Sequence, residues 1–169
     1  MKKTIFFCAS ILICFIPNIY VFSSSDEIEM REFQDGVLIY KLSEFKEEEW
    51  PKELKDELLA CGECPGIDGY LPDYYTKNVE LKLKDKVYRI PKTLTEDLYN
   101  PHVGKSFHRD SLRIVGDDKT IIINMRGGDG AGAYKVEFTI NLTKMTVRRE
   151  LFRVLNMEVP IIKEGKLEN

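Results

Sequence analysis

The chain has 169 residues, of which 43% are hydrophobic and 31% charged, and its formal net charge at pH 7 is -3. This length corresponds to one domain, and the apolar content is sufficient for a core, which argues against wholesale disorder. Proteins that bind nucleic acid usually carry a marked basic excess, so we expect no nucleic-acid partner.

The first 25 residues have the layout of a secretory signal. Lys2 and Lys3 precede an apolar run over residues 5–16, and a run of serines ends the segment. The apolar run is shorter than the roughly 20 residues that span a bilayer as a helix. We therefore expect a signal peptide over residues 1–25 and a single exported domain over residues 26–169. An uncleaved leader, the alternative, would be the chain's only link to the membrane.

A strand, a helix and a hairpin are predicted next along the chain. Residues 37–42 predict a short strand. Residues 47–60 predict a helix, because their acidic start and Pro51 suit a first helical turn and Gly62 suits the end. Residues 79–90 alternate apolar and polar side chains on both sides of a turn, which predicts a hairpin.

The helical predictions include a packing pattern and a second, shorter helix. Trp50, Leu54 and Leu58 recur every four residues, which predicts a stripe that faces the core. Residues 93–99 predict a short helix that ends at Asn100, because a proline follows it.

The last third of the chain predicts consecutive strands. Residues 112–115, 120–125 and 134–140 are rich in β-branched and aromatic side chains, and the pattern continues weakly through Leu151. Their connections are too short for parallel crossovers, so the strands must pair antiparallel. The predicted fold class is α+β, mainly an antiparallel β-sheet in a meander, with one N-terminal helix and a short second helix.

Cys61 and Cys64 form a C-x-x-C pair at the end of the predicted helix. In an exported protein such a pair is expected to be oxidised to a disulfide. A thiol oxidoreductase places its reactive cysteine at a helix N-terminus, whereas Cys61 falls at a C-terminus, where the dipole opposes a thiolate. We expect a structural clasp, with redox activity and metal binding as the alternatives. The other two cysteines lie in the leader.

A glycine-rich run connects two of the predicted strands. It leads into a strand rather than a helix, so it is neither a dinucleotide fingerprint nor a P-loop. Its small residues predict a hairpin tip, a bulge or a point where another backbone approaches closely. The sharper hypothesis is a binding loop for a protein partner. Its candidate residues are Arg126, Gly127, Gly128, Asp129, Gly130, Gly132 and Tyr134.

Two further segments have both a structural and a functional interpretation. His102, His108 and Asp110 lie in one polar segment, but their spacing matches no strong metal or hydrolase motif, so we expect a surface loop. Three tyrosines in residues 70–75 either cap the core or form an interaction surface. We expect no catalytic residue, no metal ligand and no cofactor.

Four features together resemble a group of exported, periplasmic bacterial proteins. They are the C-x-x-C pair, residues 88–91, residues 97–101 and the Gly-Gly-Asp-Gly-Ala-Gly-Ala-Tyr run over residues 127–134. The resemblance covers residues 61–149 and implies export without an activity. In size and leader the chain is also similar to small periplasmic lysozyme inhibitors, whose binding loops lie on an antiparallel barrel, although their motif is absent.

These observations predict an exported binding protein, periplasmic or secreted, with no enzymatic role. Its partner would be a protein of the cell envelope, and the concrete form is an inhibitor or immunity protein directed at a cell-wall hydrolase or toxin. The alternative is an envelope enzyme, either a thiol oxidoreductase that uses the C-x-x-C pair or a hydrolase.

Overall fold

The computed structural model describes residues 26–33, 36–61, 64–103, 112–117, 119–153 and 156–168. The predicted signal peptide, the helix end at Gly62, and His108 and Asp110 lie outside these residues. None of the described helices is both long enough and apolar enough to cross a membrane.

In the described residues, nine strands form two antiparallel meanders that follow one another along the chain. The first sheet has the order β1-β2-β3-β4 and the second has the order β5-β6-β7-β8-β9. The bounds are β1 (Asp26–Phe33), β2 (Gly36–Glu44), β3 (Tyr74–Leu83), β4 (Lys86–Arg89), β5 (Leu112–Gly116), β6 (Thr120–Gly127), β7 (Tyr134–Asn141), β8 (Thr146–Arg153) and β9 (Asn156–Lys166). The predicted antiparallel meander is therefore confirmed, but its strands form two sheets and not the single sheet that was predicted.

One core lies between the inner faces of the two sheets. Strand β7 buries every second side chain, as its alternating pattern predicts. The buried side chains come from both sheets, and Leu38, Leu81, Ile123 and Phe138 are among them. The core therefore belongs to a single unit, although each sheet is a separate meander.

The two sheets are also joined along one edge. The backbone N–H of Arg89, at the end of β4, donates to the carbonyl oxygen of Glu168 over 2.8 Å, and the N–H of Glu168 donates back over 3.1 Å. Glu168 follows β9, so this bridge connects the last strand of the first sheet to the chain end of the second.

The N-terminal helix is shorter than predicted and packs differently. Helix α1 (Lys52–Ala60) follows a single 3-10 turn at Glu47–Glu49, and Pro51 occupies its N-cap position. Leu58 is buried and Trp50 is half-buried, but Leu54 is 36% exposed. The predicted stripe is wrong at Leu54, because α1 packs against a small second cluster to which it contributes a single buried side chain, that of Leu58.

The predicted second α-helix is wrong: residues 90–103, the described part of the connection between β4 and β5, contain one 3-10 turn, Lys92–Leu94. We call residues 91–103 the crossover segment. Its first turn is closed by bonds within the segment, but carbonyl groups farther along accept from partners outside it, which replaces the bonds that would continue a helix. The carbonyl oxygen of Leu98 accepts from the Thr76 N–H and hydroxyl, and that of Tyr99 accepts from the Tyr134 hydroxyl. Tertiary hydrogen bonds therefore override the local helical pattern.

A buried charge holds the same segment. Arg149 is 1% exposed and donates to both carboxylate oxygens of Asp97 and, over 3.0 Å, to the carbonyl oxygen of Leu94. Lys163 Nζ lies 2.9 Å from Asp97 Oδ2. Burial by itself would raise the pKa of Asp97, but the bonds from Arg149 and Lys163 outweigh it and hold that pKa below its usual value. Strands β8 and β9 are thus both bonded to the crossover segment through the carboxylate of Asp97.

We expect Asp97→Ala to lower the free energy of unfolding by about 3–5 kcal/mol, because it leaves the buried Arg149 without a counter-charge. The matched control is Arg148→Ala on the same strand, whose half-exposed side chain pairs with Glu150 and should cost less than about 1 kcal/mol. Urea denaturation of both variants measures the difference. Equal midpoints for the two would show that the pair with Asp97 does not stabilise the fold.

The same pair predicts an acid-sensitive contribution to stability. Because the folded pKa of Asp97 is depressed, its contribution is fully present above the unfolded value of about 3.9 and is lost as the pH falls through the folded value. The free energy of unfolding, measured by urea denaturation at a series of pH values from 7 to 2, should therefore fall less steeply below about pH 4 in Asp97→Asn than in the wild type. If the free energy of unfolding depended on pH in the same way in both proteins, Asp97 would not be the source of this acid sensitivity.

Candidate functional site

Four segments that are far apart in the sequence meet at one end of the sheets. They are the end of α1 with its cysteine pair, the loop over residues 64–73, residues 99–102 of the crossover segment, and residues 126–134 around the glycine run. Hydrogen bonds between the backbones of these segments join them. We call this assembly the corner.

The cysteine pair lies at the base of the corner. Cys61 and Cys64 form a disulfide, which confirms the predicted bond. Cys61 is the C-cap residue of α1, and its N–H donates to the carbonyl oxygen of Leu58 over 3.2 Å. Cys64 packs against the second cluster, whose buried members include Ile67 and Tyr99. The carbonyl end of the helix dipole points at this pair, which is the orientation that disfavours a thiolate.

The glycine run connects β6 to β7 and is held by backbone contacts on two sides. The N–H of Gly66 donates to the carbonyl oxygen of Gly132 over 2.8 Å, and the N–H of Gly128 donates to that of Asn100 over 2.9 Å. The N–H of Ala131 donates to Asp68 Oδ2 over 3.1 Å. The loop that follows the disulfide and the crossover segment therefore brace the glycine run.

The need for glycine at two positions follows from these contacts. Gly128 has a φ of 64°, in the left-handed region, and a Cβ there would lie 2.7 Å from Gly66 Cα. A Cβ at Gly132 would collide with the backbone carbonyl of Ile67. The close backbone approach predicted from the small residues is present, and its partner is the loop after the disulfide.

Asn100 connects three parts of the corner. Its Oδ1 accepts from the N–H groups of Asp73 and Tyr74 over 2.9 and 3.0 Å, and its Nδ2 donates to the carbonyl oxygen of Gly66 over 3.1 Å. Its own φ is 44°, a conformation that asparagine tolerates better than most residues. Sequence reasoning gave Asn100 only the role of ending a helix. An asparagine before proline was the available signal, but it does not identify the bonding partners.

The candidate binding-loop residues divide between a buried brace and an exposed rim. Arg126, Asp129 and Gly130 are exposed. The others are buried, and the hydroxyl of Tyr134 donates to the carbonyl oxygen of Tyr99 over 3.1 Å. Burial raises the pKa of Tyr134 well above its usual value, so the hydroxyl stays protonated and keeps donating. The buried members are Gly127, Gly128, Gly132 and Tyr134.

The tyrosines of residues 70–75 divide in the same way. Tyr74 packs against the main core, and the Tyr75 ring meets the Trp50 ring edge-on with 5.5 Å between centroids. Tyr70 is 82% exposed and lies two residues after Asp68, which bonds the glycine run. We therefore count Tyr70, with Arg126, Asp129 and Gly130, as the exposed rim of the corner.

His102 lies beside the glycine run. Its N–H donates to the carbonyl oxygen of Arg126 over 2.8 Å, and its Nε2 is 3.6 Å from Asp129 Oδ1. No group of three or more histidine, cysteine or acidic side chains that could hold a metal occurs in the part of the chain that the structure describes.

Comparison of this chain with protein-family models, with curated proteins and with solved structures finds no match in any of the three.

We expect Asn100→Ala to lower the free energy of unfolding by about 2–4 kcal/mol, because it removes three side-chain hydrogen bonds and forces alanine into a left-handed conformation. Asn100→Gly is the matched variant, since it loses the same bonds without the backbone strain, and its loss should be smaller. Thermal and urea denaturation of both measure the two effects. A harmless Asn100→Ala would show that these bonds do not hold the corner.

Proposed function

We propose that this chain is an exported, periplasmic binding protein that presents the corner to a protein partner of the cell envelope. Its concrete form is an inhibitor or immunity protein directed at a cell-wall hydrolase or toxin. In this proposal the exposed rim of the corner makes the contact, and the buried brace keeps the rim in one conformation.

The observation that best supports this proposal is that exposed side chains at the corner stand on loops that are held in one conformation. Tyr70 is 82% exposed and the Asp129 side chain is 96% exposed, yet both belong to loops that are held by hydrogen bonds and a disulfide. Tyrosine supplies a large contact area at a low cost in conformational entropy. A braced loop also loses less freedom on binding than a flexible one, and that saving appears as affinity.

Three further observations support export and the absence of an enzymatic role. The leader over residues 1–25 has the layout of a secretory signal, and a disulfide persists best in an oxidising compartment. Cys61 lies at the C-terminal end of α1, which favours a structural disulfide over a reactive thiol.

The proposal is tested by affinity capture from an envelope extract, followed by binding measurements with the purified protein that is recovered. Tyr70→Ala should weaken that binding at least about thirtyfold, as expected for a central aromatic contact worth about 2 kcal/mol. Asp129→Arg should also abolish capture, because it reverses a charge in the rim.

Lys86→Glu is the matched charge reversal at the opposite end of the sheets, next to the turn between β3 and β4, and should bind like the wild type. A partner that binds the wild type, Tyr70→Ala and Asp129→Arg equally well would remove the corner from the interface. Circular dichroism and denaturation curves confirm that each variant is folded.

A further inference from the structure

The corner joins the Cys61–Cys64 disulfide to the glycine run, although more than sixty residues separate Cys64 from Ala131 in the sequence. We propose that the Cys61–Cys64 disulfide is a clamp on the glycine run, and that its reduction releases the binding rim. This inference rests on the proposed function, because it assigns a mode of regulation to the same corner.

Residues 64–68 link the disulfide at one end to the glycine run at the other. The N–H of Ile67 donates back to the carbonyl oxygen of Cys64 over 3.1 Å, so the bonded cysteine and this loop form one turn. Gly66 then bonds Gly132 over 2.8 Å, and Asp68 bonds Ala131 over 3.1 Å. The segment that the disulfide anchors at one end is therefore one of the two segments that hold the glycine run, and it contacts the other, because the N–H of Tyr99 donates to the carbonyl oxygen of Pro65 over 3.2 Å.

The packing leaves little room for this loop to move without moving its neighbours. A Cβ added at Gly66 would overlap the backbone of Tyr99, and one added at Gly128 would lie 2.7 Å from Gly66 Cα. Two thiols must lie farther apart than two bonded sulfurs, so reduction moves the sulfurs of Cys61 and Cys64 apart and shifts Cys64 against the second cluster. Because interiors are close-packed, a shift at Cys64 is transmitted to Gly66 and from there to Gly132.

The chemistry requires only a dithiol, either a protein of the thioredoxin type or a small molecule. One thiolate of the dithiol attacks a sulfur of the Cys61–Cys64 bond and forms a mixed disulfide, and its second thiol then displaces the remaining cysteine. Two electrons and two protons pass to Cys61 and Cys64, and the dithiol becomes a disulfide. Both cysteines are partly exposed, which gives the reductant access.

The experiment measures amide hydrogen exchange by NMR in the oxidised protein, in the protein reduced with dithiothreitol, and in Cys61→Ser/Cys64→Ser. The reporters are the amides of Gly66, Gly128 and Ala131, and the reference is the amide of Phe138 in β7. Reduction should speed exchange of the three reporters on the order of tenfold while Phe138 stays protected. Asp68→Ala, the positive control, should release Ala131 in either redox state.

Three results would overturn the inference. One is unchanged exchange at Gly128 and Ala131 after alkylation has proved that both thiols are free. Another is loss of protection at Phe138 together with the reporters, because the disulfide would then stabilise the whole fold and not this corner. The third is rapid exchange of the reporters in the oxidised protein. None of these readouts needs a partner, so failure here is distinct from failure of the capture experiment.

Discussion

A guanidinium group that is 1% exposed is costly unless a carboxylate and further acceptors replace the water it has lost, and Arg149 in the inner face of β8 meets that requirement at its two terminal nitrogens, which bond Asp97 and the carbonyl oxygen of Leu94. Asp97 does not belong to either sheet, because it lies in the crossover segment. The charge on β8 therefore binds the connection between the sheets to the core, and Lys163 on β9 strengthens the same attachment. The position of the buried Arg149 side chain therefore fixes where the crossover segment lies against the core.

That placement determines what happens at the corner. Three residues beyond Asp97 the chain reaches Asn100, whose side chain bonds the start of β3 and the loop after the disulfide. The carbonyl oxygen of Asn100 then accepts from Gly128. The core and the proposed binding rim are thus connected through a short stretch of backbone with hydrogen bonds at nearly every step. A rim built in this way is rigid without having a core of its own, which suits recognition of a preformed surface.

Much of the fold could be predicted because its strands alternate. The positions from Tyr134 to Ile140 show a period of two, and the hairpin of β3 and β4 shows the same period about a turn. Strands β1 and β9 were not predicted. Each has only one complete strand neighbour, and exposed apolar residues such as Met30 and Val159 remove the contrast between faces that marks a half-buried strand. The prediction of a second helix was wrong for a different reason. Its local pattern is helical, but hydrogen bonds from distant strands hold the segment in another conformation.

The sequence by itself determined the antiparallel class, the pairing of Cys61 with Cys64, and the presence of a glycine-rich hairpin connection, because each of these depends on neighbours along the chain. Only the tertiary structure decided that the disulfide loop and the glycine run are one assembly, that Asn100 holds it together, and that the candidate residues divide into a buried brace and an exposed rim. Those facts depend on contacts between backbones dozens of residues apart, and local patterns of hydrophobicity, charge or turn chemistry carry no record of such contacts.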